Sequence, residues 1–433
     1  MKKVLILAYD FPPYNSIGAQ RPASWLKYLP NYDIDVTVVT RHWDDNINSP
    51  IDYIKPSSIR TTVLQEVSEK SRVIRAPFYP NLRDRILIKY GFDRFVFFRK
   101  IVSLIINIFQ FVFPQKTNTY NIYTEAEKYL KTNKVDYIIA TAEPFILFKY
   151  AQMLSYKHNV SWIADYRDCW NHSPLIENKD IFNRLIGRMM LGIEKNIVKK
   201  SMMITTPSPS YKKSLNELFK NKKIEVIYNG NDIENNDELN NILPNTNCFE
   251  IAYAGVIYPH QKLETFLDGL SKLLETHKDY KIKVIFYGLN FYPEMRERVL
   301  SYKQDLISII EVTNRISYDK VIRKLKNAHV LLLLSNEGAD WLNAKVFDYL
   351  ALNRPILFVK NDKGVLEKIL DESGIGYKCS TSEDVKNNIE ILYNEFYIKK
   401  NKFKNARNSE FYTRKKQAEL FSKLILEENI ISK

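Results

Sequence analysis

The sequence predicts two successive α/β halves, each a largely parallel sheet with helices on both faces. Three observations carry that prediction. Short apolar runs recur without the polar alternation of a half-exposed sheet, so they read as strands buried on both faces. Stretches with helical apolar spacing lie between these runs, which gives the order βαβ. That order lapses across the polar, Asn-rich residues 234–247 and then restarts.

The first apolar run is residues 3–9, followed by a loop holding Pro12, Pro13 and Gly18. Residues 19–29 place Ala23, Leu26 and Leu29 on one side of a helix, and residues 36–39 form the next strand. Residues 135–140 and 160–164 are strands flanking the helical stretch 145–156, and 202–205 and 225–227 are shorter strands. After the Asn-rich stretch come a strand at 250–254, a helix at 263–276 and a strand at 283–287. Strands at 330–334 and 355–359 enclose a helix at 344–352, and residues 411–425 show apolar helical spacing.

Composition fits this reading. A chain of 433 residues with 45% hydrophobic and 26% charged residues is neither disordered, collagen-like nor a polytopic membrane protein. Its charge of +14 attracts polyanions: nucleic acid, anionic lipid, or nucleotide and phosphate ligands. Cys169, Cys248 and Cys379 are odd in number and far apart, which argues against a disulfide framework or a zinc site and fits a reducing, cytoplasmic compartment. The apolar run at the N-terminus is too short for a signal-peptide core and reads as a strand.

Residues 72–116 differ from the rest. Arg72, Arg75, Arg83, Arg85, Lys89, Arg94, Arg99, Lys100 and Lys116 face only Asp84 and Asp93. Within that segment residues 101–113 are uncharged and rich in Ile and Phe; they are too few to span a bilayer, which takes about 20. Ser103, Asn107 and Gln110 form one narrow polar stripe. Two readings fit: an ordinary, deeply packed helix, or an interfacial helix seated among anionic headgroups.

In open α/β sheets ligands bind beyond the carboxyl ends of the strands. GxGxxG is absent, and the second strand ends in Thr40-Arg41 without an acid for a ribose, which disfavours a nicotinamide or flavin enzyme. Gly18 precedes a helix N-terminus, where backbone N–H groups suit phosphate oxygens. Asp165-Tyr166-Arg167-Asp168 ends a strand with two carboxylates around an arginine. It reads either as a salt-bridged turn or as an acceptor wall in which Asp168 orients or deprotonates a hydroxyl. Lys345 opens a helix carrying Asp348, with Asp340 in the loop before it. A lysine at a helix start suits a diphosphate and a carboxylate one turn on suits a ribose diol. No HExxH, His/Cys cluster or DxD-like run follows a strand, so no catalytic metal is expected; GxSxG is absent as well.

These residues resemble a known family. Asp10-Phe11-Pro12-Pro13 with Gly18-Ala19-Gln20-Arg21 is similar to the opening of family-4 (group 1) retaining glycosyltransferases of the GT-B fold. Asp165-Tyr166-Arg167-Asp168-Cys169-Trp170 resembles the DFRDPW motif of a bacterial subgroup acting in surface-polysaccharide synthesis. Val226-Ile227-Tyr228-Asn229-Gly230 resembles the segment that closes the family's N-terminal domain, and Lys345-Val346-Phe347-Asp348-Tyr349-Leu350-Ala351 its KxFEYLA donor-site helix. The resemblance implies two Rossmann-like domains facing a central cleft. It implies an acceptor domain over 1–232, a linker over 233–247, a donor domain over 248–405, and a tail helix over 406–433 that packs back on the first domain.

It further implies metal-independent, retaining transfer from a nucleotide-diphosphate sugar, with no other cofactor, to a glycan or lipid-linked acceptor. Lys345 would hold the diphosphate, Asp348 the ribose, and Ile316 would meet the base through its backbone. Gly18 would approach the diphosphate from the other domain, Asp340 would face the donor sugar, and Asp168, Arg167 and Arg21 would lie on the acceptor side. The chain departs from the pattern at five positions. Asp replaces Glu at both acidic positions; Gly255-Val256 replaces Gly-Arg; the family's lysine falls on Gln261, with Lys262 beside it; and Asn353 stands for a glycine. Peripheral attachment to an anionic membrane at its inner face is expected from residues 72–116. Two rivals remain: a non-catalytic nucleotide-sugar or polysaccharide binding partner, and a nucleic-acid binder. The second lacks any helix-turn-helix, RRM or finger pattern, so no nucleic-acid partner is expected.

Overall fold

The computed structural model describes every residue except 15, 46, 48, 171–180, 234–236, 339–341 and 428–433; of 181–185 and 237 it describes the backbone alone. The chain divides into two compact units, unit 1 being residues 1–229 with the chain from Arg414, and unit 2 Gly230–Thr413.

Unit 1 holds strands β1 (Lys2–Ala8), β2 (Ile34–Arg41), β3 (Val63–Ser68), β4 (Ser71–Ala76), β5 (Tyr137–Ala142), β6 (Ser161–Tyr166), β7 (Met203–Thr206) and β8 (Ile224–Val226). Its helices are α1 (Ile17–Tyr28), α2 (Leu82–Tyr90), α3 (Val96–Phe109), α4 (Tyr120–Thr132), α5 (Ile146–His158), α6 (Ile181–Val198) and α7 (Pro209–Leu218). The sheet runs β3-β4-β2-β1-β5-β6-β7-β8. Every pairing is parallel except that of the edge strand β3 with β4. Successive side chains of β1 enter different cores: Val4, Ile6 and Ala8 join Trp25 and Leu29 on one face, Leu5 and Leu7 join Ile122 and Leu147 on the other. Burial on both faces is why the strand reads as an unbroken apolar run.

Unit 2 holds α8 (Asp237–Asn240), β9 (Phe249–Ala254), α9 (Leu263–Thr276), β10 (Ile282–Tyr287), α10 (Pro293–Ser301), β11 (Ile310–Val312), α11 (Tyr318–Asn327), β12 (Val330–Leu334), α12 (Lys345–Leu352), β13 (Ile356–Val359), α13 (Val365–Ser373), β14 (Gly376–Cys379) and α14 (Ser382–Leu392). Its all-parallel sheet runs β11-β10-β9-β12-β13-β14. That is the doubly wound order, in which strand sequence reverses between the first and fourth strands.

Two segments differ from the boundaries expected from sequence. The Asn-rich stretch is part of unit 2: Asn245 donates to Asn327 O at 3.0 Å and to Glu250 Oε2 at 3.2 Å, and Arg354 Nη2 donates to Ile242 O at 3.1 Å. A polar segment without apolar periodicity is held here by hydrogen bonds, a mode that hydropathy does not register. Residues 406–413 also belong to unit 2, with Ala406 N donating to Asn353 Oδ1 at 2.8 Å and Arg407 N to Ser373 O. The final helix, α15 (Arg414–Glu427), belongs to unit 1, where Phe421 packs 4.8 Å from Trp25 and Gln417 Oε1 accepts from Tyr228 N at 2.9 Å.

Candidate functional site

In each unit the strand order reverses at one point, where the two adjacent loops diverge and leave a crevice at the strand C-termini. In unit 1 that point lies between β1 and β5. Asp10 follows β1, Glu143 follows β5, and Arg167 and Asp168 follow β6. Arg167 ties these loops together. Its Nε donates to Ala142 O at 2.6 Å, Nη2 to Glu143 O at 2.6 Å and Nη1 to Asp10 Oδ2 at 3.0 Å.

The Asp10–Arg167 pair lies directly against Gly18 in the first turn of α1. A Cβ there would stand 1.8 Å from Arg167 Nη1 and 2.7 Å from Asp10 Oδ2. Gly18 thus makes room for the clamp. Ser16 caps the same helix, its Oγ accepting from Ala19 N at 3.0 Å. Gly18→Ala should expel the Arg167 guanidinium and cost about 1–3 kcal/mol, as overpacking does. Urea unfolding in wild-type and Arg167→Ala backgrounds checks this: the cost should shrink once Arg167 is gone.

Three carboxyls surround Arg167, and all are raised above their usual range. Burial raises Asp10, against the opposing pull of Arg167. Loss of hydration raises Glu143, and the neighbouring Asp168 charge adds to it. Loss of hydration also raises Asp168, against Arg167 and the Tyr211 hydroxyl that donates to it. Glu143 and Asp168 keep an exposed face, which limits the effect on both. Carboxyls raised in this way beside an exposed strand end are suited to exchanging a proton with a hydroxyl.

Arg21 is a core residue rather than an acceptor-side contact. It is 2% exposed, and its Nε and Nη2 hold Asp165 in a fork at 2.7–3.2 Å while Nη1 donates to Ile227 O at 2.5 Å. Thr141 and Thr205 complete the Asp165 carboxylate at 2.8 and 2.7 Å. The pair fastens α1 to β5, β6 and β7 beneath the loop ends.

In unit 2 the reversal lies between β9 and β12. Gly255 follows β9 at φ +91°, and a Cβ on it would come within 3.2 Å of Lys345 Cε. Lys345 opens α12 and passes through that gap. Its ammonium donates to the Tyr253 hydroxyl at 2.6 Å and to Val256 O at 3.0 Å, and lies 4.2 Å from the centre of the Tyr253 ring. Among the described residues no carboxylate pairs with it, and burial pulls it down to about 7. One turn further on, Asp348 Oδ1 accepts from the Tyr318 hydroxyl at 2.8 Å.

Lys262 is exposed beside this point, its backbone N–H donating to Ser335 O at 3.0 Å. Gln261, at the position of the family's lysine, is fully buried and bridges Tyr258 N and Leu334 O. Its amide therefore shapes the loop. Ile316 is half-buried in the loop between β11 and α11. Asp340 lies outside the described residues. Among the described residues no three His, Cys, Asp or Glu side chains converge as a metal site requires.

No family model matches the chain. No curated protein matches it either. Solved structures do. Sucrose-phosphate synthase from Thermosynechococcus elongatus aligns over 100% of both chains at 13% identity, with a TM-score of 0.64. Anabaena HepE, solved with UDP-glucose, covers 98% of this chain and 95% of its own at 10% identity, with a TM-score of 0.54. A protein described as a UDP-N-acetylglucosamine 2-epimerase from Listeria monocytogenes covers 100% of this chain and 98% of its own at 11% identity, with a TM-score of 0.52.

The fold is GT-B. At these identities the likeness speaks for the fold alone, which transferases and epimerases share.

Several residues of the two GT-B units escape a sequence reading. Glu143 differs from other surface acids only in preceding Pro144 at a strand end. Tyr253 sits inside an apolar strand and Tyr318 in a helix start, both far in sequence from the groups they touch. Arg298 on α10 ties the loop before α9 to that helix's first turn, holding Glu264 at 2.7 and 2.9 Å and the carbonyls of Tyr258 and Gln261. No local pattern marks it.

Proposed function

We propose that the chain is a retaining, family-4-type glycosyltransferase that moves a sugar from a nucleotide-diphosphate sugar to a glycan or lipid-linked acceptor in cell-surface polysaccharide synthesis. The observation that carries the reading is Lys345: a half-buried, desolvated ammonium with no carboxylate partner among the described residues, at a helix N-terminus and at the sheet's reversal point. A buried cation left without a countercharge is costly, and an anionic ligand offsets that cost. The dipole of α12 adds to the attraction for phosphate.

The diphosphate binds at Lys345 with Lys262 at the rim, the ribose at Asp348, and the base along the backbone at Ile316. Charge that develops on the departing diphosphate is stabilised by Lys345 and the α12 N-terminus, so transfer needs no metal ion and no further cofactor. On unit 1, Asp168 and Glu143 orient the acceptor hydroxyl and Arg167 fixes the loops that carry them. The protein works in the cytoplasm, peripheral at the inner face of the membrane.

One observation favours a second reading. Val256 stands where a phosphate-binding arginine is expected, which suits a chain that binds nucleotide sugar without transferring it. Thermal shift across UDP-, GDP- and dTDP-sugars, followed by product analysis in excess EDTA, tests both. The expected result is stabilisation by one sugar-nucleotide class and glycosyl transfer undiminished by the chelator. Activity lost in EDTA and restored by Mn²⁺ sinks metal independence; a C2-epimerised sugar formed without acceptor assigns the fold's other chemistry.

A further inference from the structure

Helix α3 carries an apolar face that unit 1 leaves uncovered. Of its fourteen residues only Val102 is buried. Phe97 is 78% exposed, and Phe98, Ile101, Ile105 and Phe109 are each two-fifths to one-half exposed. At 3.6 residues per turn these five side chains fall within about one third of the helix circumference. Exposed Phe92 and Phe95 extend the face before the helix, and Val112 and Phe113 after it. An ordinary packed helix, one of the two readings left open by the sequence, would not look like this. A soluble surface seldom carries so large a continuous apolar patch without a partner.

Charge indicates which partner. Residues 82–116 hold seven basic side chains (Arg83, Arg85, Lys89, Arg94, Arg99, Lys100 and Lys116) against Asp84 and Asp93. Asp84 is buried and paired with Arg83 at 3.1 Å, which leaves six other cations against Asp93. Arg94 and Lys100 flank the apolar face and are exposed. A second copy of the chain would bring two such basic rims together, which repels. An anionic lipid surface meets both features: headgroups for the rim, acyl chains for the face. No helix among the described residues is long and apolar enough to cross a membrane, so the contact lies in the interface plane.

The face also leads toward the candidate acceptor loops. Phe111, just past α3, packs 5.1 Å from Trp170, which stacks on Phe145 at 4.8 Å with ring planes 4° apart. Trp170 follows Asp168 by two residues and Phe145 follows Glu143 by two.

We propose that α3 docks unit 1 on an anionic bilayer by inserting its Phe97–Phe109 face, so that Glu143 and Asp168 receive an acceptor held in that bilayer by an apolar tail. The docking stands on its own; the acceptor half rests on the glycosyltransferase reading.

The test is flotation of the full chain with vesicles of phosphatidylcholine alone and with about one third phosphatidylglycerol. Wild type should float with the anionic vesicles, and less so as salt is raised. Phe97→Ser/Ile101→Ser/Ile105→Ser should weaken binding by at least about tenfold, since it removes exposed groups that need not disturb the fold. Arg94→Glu/Lys100→Glu should do the same. Both variants should keep the wild-type melting temperature and nucleotide-sugar affinity, which separates loss of docking from misfolding and from failure at the donor site. With docking intact, an acceptor carrying a prenyl or acyl tail should be used at least about tenfold better on anionic vesicles than its tail-free counterpart. No flotation with anionic vesicles, or flotation that the triple Ser variant retains, overturns the docking. A vesicle-independent dimer that the triple Ser variant dissolves assigns the face to a second copy and overturns it too. Docking with equal use of tailed and tail-free acceptors overturns the acceptor half alone.

Discussion

Lys345→Met should weaken nucleotide-sugar binding by about 10- to 150-fold, the value of about 1.5–3 kcal/mol for a hydrogen bond to a charged group. The same substitution should stabilise the ligand-free protein, because it removes a cation held at about 7 by burial and relieved by no carboxylate among the described residues. The opposite signs are the test: isothermal titration for affinity, thermal melting for stability. The pH dependence follows from the same shift. Bound diphosphate raises the Lys345 pKa, so binding takes up a proton wherever the free ammonium is already neutral. Affinity should therefore hold below pH 7 and fall as pH rises above it. Stability of the ligand-free chain runs the other way. Between about 7 and the ordinary lysine value the unfolded chain binds the extra proton, so this group adds stability as pH rises through that window. Lys345→Met should flatten both profiles. An unchanged affinity in the folded variant removes Lys345 from the donor site.

Arg21→Met should destabilise unit 1 by about 3–5 kcal/mol, because it strands the Asp165 carboxylate in a fully buried position. Thr141 and Thr205 would still donate to Asp165, but two hydroxyls do not replace a forked guanidinium. Asp165→Asn with Arg21→Met should recover part of the loss, since no charge is then left buried. Urea unfolding followed by Trp fluorescence measures both. A loss below about 1 kcal/mol in the single variant would return Arg21 to the surface and reopen its acceptor-side role.

Much of the fold was legible because burial on both sheet faces writes itself into the chain as short apolar runs. β1, β9 and β12 were read that way to within a residue or two. β3 was missed because all six of its residues are exposed, so it leaves no such run. β4 leaves no apolar run either, because Arg72 and Arg75 interrupt its buried residues. The pairing of Lys345 with Asp348 was legible because they lie one turn apart on one helix, and local spacing fixes their relation.

By itself, then, the sequence determined the two α/β halves, the strand ends that carry the candidate site residues, and the helix that carries Lys345 and Asp348. All of these depend on residues close in the chain. Only the tertiary structure decided what the isolated charges do. Arg21 meets Asp165 across 144 residues and leaves the surface; Arg167 meets Asp10 across 157 and becomes a clamp against Gly18; Glu143 joins Asp168. Only it decided that the apolar face of α3 stays uncovered, because what covers a helix is set by its neighbours in space, and those come from distant parts of the chain.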